Sequence, residues 1–198
     1  MITWSIGNEN STFLPGAKDF FDRLIEFARK LERNRFISYA SLILMRKEEE
    51  GFFKKLDIIG LNEYFGWYDK LGKNYENWKE EKLDLTILEI KLREFFNRHK
   101  IPVAITEFGA DSLPGFRFSG FVLGSEDYHS ALLEESFKIF KKFQQIIGYF
   151  PFSFNDYPDP SKSIVRFWAD EINHKGVVSF NRSKKSVFET LKKIYEEI

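Results

Sequence analysis

The sequence predicts an α/β fold in which a parallel sheet is covered by helices. Short apolar runs alternate with longer amphipathic stretches in the order β-α-β-α-β-α-β-α-β-α. That alternation produces parallel strands joined by crossover helices. The length of 198 residues fits one domain with a core of its own. A composition of 43% hydrophobic and 30% charged residues is that of a globular chain rather than a disordered one.

Met1–Gly7 is rich in large and β-branched residues, as a buried strand requires. Residues 16–33 set Ala17, Phe20, Phe21, Leu24, Ile25, Ala28 and Leu31 at helical spacing between charged residues. Arg35–Leu44 reads as a strand, Lys47–Lys55 as a short charged helix or loop, and Asp57–Asn62 as a strand buried on both faces. Residues 67–80 are aromatic and polar and read as a long loop. Lys82–His99 lines Leu85, Leu88, Leu92, Phe95 and Phe96 along one helical face, and Ile101–Thr106 is the next strand. Asp111–Glu126, with three Gly and one Pro, reads as a loop with its own apolar anchors. Asp127–Ile147 follows as a helix, Gly148–Phe154 as a strand containing Pro151, and Ser183–Ile198 as a closing helix.

Charge and composition exclude several classes. Thirty basic and thirty acidic residues cancel, which argues against nucleic acid as the main partner. No apolar run approaches the roughly 18 residues of a membrane span, and no signal peptide is visible. The absence of Cys removes disulfides, thiolate metal sites and Cys nucleophiles, and fits a reducing, cytoplasmic compartment. Abundant Lys and Glu with no Cys and two Met is also a thermophile's pattern. The three His (His99, His129, His174) have no metal-ligand spacing, and neither Ser125 nor Ser153 lies in a G-x-S-x-G context, so no metal, cofactor or Ser nucleophile is expected.

In parallel α/β folds the reactive side chains sit at the C-terminal ends of strands. Those ends here are Gly7-Asn8-Glu9-Asn10, Leu61-Asn62-Glu63-Tyr64, Thr106-Glu107-Phe108-Gly109 and Phe154-Asn155-Asp156. Glu9 and Glu107 both follow apolar runs. Two glutamates on one rim fit glycoside hydrolysis, one protonating the leaving oxygen and the other attacking the anomeric carbon or activating water. Either glutamate alone reads equally well as a rim carboxylate paired with Lys or Arg.

Four blocks narrow the choice. Trp4–Asn10 (WSIGNEN) resembles the acid/base motif of glycoside hydrolase family 2, and Ile105–Phe116 (ITEFGADSLPGF) resembles that family's nucleophile motif. Leu61–Tyr68 (LNEYFGWY) resembles the sixth-strand motif of the β-glucuronidases in the family. Asn173-His174-Lys175-Gly176 resembles the Asn-x-Lys motif with which those enzymes bind the sugar carboxylate. The blocks stand in family order, and KSVFETLKKIY is similar to the family's final helix.

The resemblance implies a partial (β/α)8 TIM barrel, equivalent to strands four to eight with their helices. It further implies retaining hydrolysis of β-D-glucuronides, a step of carbohydrate metabolism. Glu9 would then be the acid/base and Glu107 the nucleophile, with carboxyls about 4–7 Å apart around the retaining value. Asn8 would bind the 2-hydroxyl, Tyr64 and Tyr68 would orient the nucleophile and contact the carboxylate, and Asn173 and Lys175 would read that carboxylate. β-Galactosidase and β-mannosidase are alternatives that leave the Asn-x-Lys pair without a purpose. The sandwich domains and first barrel strands of the family are not found in these residues, and Phe152 stands where the family usually has Trp. A non-catalytic remnant, or a fragment completed by an N-terminal chain or by self-association, is therefore a second expectation. The first and last strands would be open edges, with Pro151 partly blocking the last.

Overall fold

A computed structural model describes residues 2–46, 51–70, 79–80, 83–118, 121–160 and 170–197. In chain order the elements are β1 (Thr3–Asn8), α1 (Ala17–Leu31), β2 (Phe36–Ser41), a 3-10 turn (Phe53–Lys55), β3 (Ile58–Asn62), β4 (Lys79–Glu80), α2 (Thr86–Arg98), β5 (Val103–Glu107), β6 (Phe121–Val122), α3 (Glu126–Phe140), β7 (Ile146–Tyr149), β8 (Tyr157–Pro158), β9 (Ile172–Asn173) and α4 (Ser186–Glu196). They fall into two compact units. The first comprises Met1–Glu63, Ile90–Thr106 and Phe143–Phe150, and the second Tyr64–Glu89, Glu107–Lys142 and Pro151–Ile198.

The first unit is built on a five-stranded sheet in the order β1-β2-β3-β5-β7. β1 runs parallel to β2, β2 to β3, and β5 to β7, with Thr3 opposite Phe36, Ser38 opposite Ile58 and Val103 opposite Ile146. Every residue of β3 is buried, as a strand apolar on both faces demands. Gly60 is required there, since a Cβ would come within 2.9 Å of Thr106 Oγ1 and 3.1 Å of the Ala40 backbone. α1 buries Phe21 and Ile25. Phe21 stacks on Phe52 at 4.6 Å and meets Tyr39 edge-on at 5.1 Å, so an aromatic cluster locks the helix to β2 and the 3-10 turn. As expected, β1 and β7 are the outer strands, each paired on one side among the described residues.

The second unit is organised by α3 and α4. α3 buries Tyr128, Leu132, Leu133, Phe137 and Phe140, and α4 buries Val187 and Ile194. Ser125 caps α3 by accepting the Tyr128 N–H. The buried Glu126 accepts the N–H groups of Gly115 and Ser186, tying the preceding loop to the otherwise unsatisfied start of α4. Among the described residues no helix is long and apolar enough to cross a membrane.

Four sequence expectations need correction. The helix expected over Asp127–Ile147 ends at Phe140, and the last strand runs over Ile146–Tyr149 rather than Gly148–Phe154. The apolar spacing continues past Phe140, but Phe143 packs on Phe96, and Gln145 accepts the Val103 N–H, which commits the chain to the sheet. Pro151 thus lies beyond the strand and protects no edge. Lys79–Glu80, read as loop, pairs with Phe121–Val122. Met1, residues 47–50 of the charged segment, residues 71–78 and 81–82 and residues 119–120 of the long loops lie outside the described residues.

Candidate active site

In the first unit, β1 delivers Asn8 and Glu9 at its C-terminal end. The pairing with β2 shifts register between Ser5 and Asn8, and Glu9 adopts φ 52°. A non-glycine residue in this left-handed region stores on the order of 1 kcal/mol or more, and such strain clusters at functional sites. The Glu9 N–H donates to the Ala40 carbonyl at 3.0 Å, which holds the turn. Asn62, fully buried at the end of β3, organises the side chains: its Nδ2 donates to Glu9 Oε1 at 2.7 Å and to Asn8 Oδ1 at 3.0 Å. Its Oδ1 accepts from Thr106 Oγ1 at 2.6 Å, which fixes the amide orientation. Asn8 is exposed beside it. Asn62 lies at a strand end recognisable in the sequence, yet nothing in its local sequence signals that it bonds both Asn8 and Glu9.

In the second unit, Glu107 is half-buried and its Oε2 accepts the Tyr64 hydroxyl at 2.6 Å. Tyr64 packs on Tyr68 at 4.9 Å. The ammonium of Lys175 faces the same rings, 5.9 Å from the Tyr64 centroid, 5.7 Å from Trp67 and 5.2 Å from Tyr68. It donates to Asp111 Oδ1 at 2.9 Å, with the two side chains 2% and 8% exposed. Tyr64 is therefore the shared wall of a carboxylate site and a cation site. Asp111, four residues after Glu107 in the ITEFGAD block, was not singled out from sequence. A carboxylate partner for a lysine 64 positions away leaves no local signature.

Asn173 accepts the Lys175 N–H on its Oδ1 at 3.2 Å, and its Nδ2 donates to the Tyr157 hydroxyl at 3.2 Å and to Asp159 at 3.4 Å. Burial pushes the Tyr157 phenol up to about 12, and the negative charges of Asp159 and Glu107 add to it, so this hydroxyl stays protonated. Tyr157 is a neighbour that the sequence did not reveal.

The middle residue of the motif, His174, turns the other way. Its Nδ1 lies 3.0 Å from Asp156 Oδ2 and its Nε2 2.8 Å from Asp170 Oδ2. Burial alone would lower its pKa, but the two carboxylates outweigh burial and hold it above the usual histidine value. Gly176 follows because a Cβ there would overlap the backbone of Asn155, Asp156 and Val178. Asn173 and Lys175 are thus presented together by a bent, internally bonded segment. Among the described residues, no cluster of three His, Asp or Glu is arranged to hold a metal ion.

The second unit brings together Glu107, Tyr64, Tyr68, Asn173 and Lys175, while Asn8 and Glu9 are joined in the first. The chemistry available is a carboxylate oriented by a phenol, a strained carboxylate held by an amide, and a buried ammonium with two N–H groups not used by Asp111.

A family model described as "Glycosyl hydrolases family 2, TIM barrel domain" matches residues 1–198. The β-glucuronidase of Streptococcus agalactiae is 27% identical over 98% of the chain and 31% of its own length, and that of Paenibacillus borealis 28% identical over 100% and 31%. The solved structure of Dictyoglomus thermophilum β-D-glucuronidase superposes with a TM-score of 0.82 at 28% identity, covering 100% of this chain and 32% of that one. A β-galacturonidase structure from Eisenbergiella tayi shares the fold with a TM-score of 0.81 at 22% identity, covering 99% of this chain and 33% of its own. The chain therefore spans about a third of the relatives it matches. Its five parallel strands and their helices have the architecture of part of a TIM barrel.

Proposed function

Because the chain belongs to glycosyl hydrolase family 2, we propose that it carries both reacting carboxylates of a retaining β-D-glucuronide hydrolase, working with the remaining strands of a catalytic barrel. The observation that carries this reading is the Tyr64 hydroxyl donating to Glu107 while the Tyr64 ring faces Lys175. One residue thereby links a nucleophile to a cation suited to a sugar carboxylate.

In this mechanism Glu107, ionised, attacks the anomeric carbon, and Glu9 transfers its proton to the glycosidic oxygen as the aglycone leaves. Glu9 then takes a proton from water, which attacks the same carbon and releases glucuronate and free Glu107. The Tyr64 bond orients the Glu107 carboxylate for that attack. Asn62 holds Glu9 by one oxygen in the same way. Asn8 bonds the 2-hydroxyl, a contact that strengthens as positive charge develops on the ring. Lys175 supplies opposite charge to the uronate and Asn173 an amide N–H.

The test is hydrolysis of chromogenic β-glucuronide, β-galacturonide and β-galactoside. The chain is assayed alone and with the first two thirds of the Dictyoglomus thermophilum enzyme as the source of the other strands. Glucuronide turnover, abolished by Glu107→Gln and by Glu9→Gln, is expected. Lys175→Ala should cost glucuronide hydrolysis about 2–5 kcal/mol more than galactoside hydrolysis. Equal losses would make Lys175 structural and remove the preference for uronates. A second reading, a complementing fragment inactive alone, is favoured by the one-sided β1 and by the exposed Ile2, Trp4, Phe20, Phe27 and Leu31 in the same unit. Activity only in the mixture would select it.

A further inference from the structure

We propose that Lys185 is a positioning residue for the Asp111–Lys175 pair, its ammonium stapling together the two chain segments that carry the pair. The inference rests on the reading that Asn173 and Lys175 receive a uronate carboxylate. Lys185 sits just before α4 and is 2% exposed. Its ammonium has three acceptors: Asp156 Oδ1 at 2.7 Å, the Ser112 carbonyl at 2.7 Å and the His174 carbonyl at 2.9 Å. An ammonium has three hydrogens, so all are used internally and none is left for a substrate. Its role is geometry rather than contact.

The choice of acceptors gives that role a target. Ser112 follows Asp111 in the chain, and His174 precedes Lys175. One charge therefore anchors the neighbour of each member of the pair. The Ser112 N–H donates to the same His174 carbonyl at 2.9 Å, so the two segments run side by side. Ser112 Oγ lies 3.0 Å from Nδ1 of the buried His129. Burial, with the charges of Lys185 and Lys175, keeps that ring neutral. Asp156, fully buried, accepts the Gly176 N–H at 2.9 Å and thus holds the other side of Lys175. Removing the staple frees both backbones to separate, and a displacement of about 1 Å in a substrate-positioning group costs on the order of 10²-fold.

The experiment uses the full chain and two variants, Lys185→Met and Lys185→Met/Asp156→Asn. The second neutralises the carboxylate whose lysine partner the first takes away, and so remains informative if the first fails to fold. Amide exchange is followed at Ser112 and at Ile59, whose N–H bonds the Pro102 carbonyl in the sheet. Binding of methyl β-D-glucuronide and methyl β-D-glucoside is titrated by NMR. The expected result is exchange at Ser112 at least tenfold faster with Ile59 unchanged, and a loss of glucuronide preference of tenfold or more. Wild-type protection at Ser112, or equal acceleration at Ser112 and Ile59, overturns the staple. If the wild-type chain shows no glucuronide preference while Ser112 alone accelerates, the staple stands and the carboxylate reading falls.

Discussion

Replacing Lys175 by methionine isolates the energetic role of the buried pair. The substitution keeps the chain length and leaves the Asp111 carboxylate, 8% exposed, with no ammonium against it. Breaking a buried pair by removing one partner costs about 3–5 kcal/mol. The ring contacts change less. An ammonium over an aromatic face is worth about 0.5–2 kcal/mol, and a thioether against the same rings returns about 0.3–1.5 kcal/mol. The deficit is therefore mostly the stranded charge, a large part of the roughly 5–15 kcal/mol that holds a domain together. At this chain length each kcal/mol moves the midpoint by about 2–4 °C, so Tm should fall by about 6–20 °C. Lys175→Met/Asp111→Asn should recover most of that loss, because replacing both partners of a buried pair is near neutral. Urea unfolding of the four proteins, with unchanged m-values, gives the cycle. A single-variant loss below about 1 kcal/mol, or strict additivity, would show that the pair is not the buried interaction described here.

Tyr64→Phe removes a hydrogen bond to a charged group worth about 1.5–3 kcal/mol. Where turnover is measured, kcat should fall about 10- to 160-fold with KM nearly unchanged; an unaltered kcat refutes a role in orienting Glu107. Gly176→Ala should destabilise by about 1–3 kcal/mol or more, since its Cβ meets backbone on three sides. Gly115→Ala, with open space but φ +80°, should cost only about 1 kcal/mol, and thermal melts that rank them the other way contradict the packing. His174 binds its proton more tightly when folded. Its stabilising contribution is complete below its ordinary pKa of 6.5 and is lost as pH rises through the higher folded value. Stability should decline over that window in the wild type and not in His174→Gln. The chain alone should self-associate through β1, and a monomer at high concentration by light scattering would show the edge to be covered.

By itself the amino-acid sequence determined the alternation of strands and helices, the position of four of the five strands of the main sheet to within a few residues, and the two carboxylates at strand ends. These are legible because burial on both faces of a parallel sheet forces continuous apolar runs, as in β3, and because reactive groups follow them. Tertiary structure decided where α3 stops, since Phe143 and Ile146 carry helical spacing but bury themselves in the first unit instead. It also decided the partners. Asn62 serves Glu9 across 53 residues, Asp111 serves Lys175 across 64, and Lys185 reaches Ser112 across 73. A hydrogen bond constrains an atom's place and direction, not the identity of the residues beside it in the chain. The residues that hold the candidate site in place therefore emerge only when the backbone has brought them within 3 Å of one another.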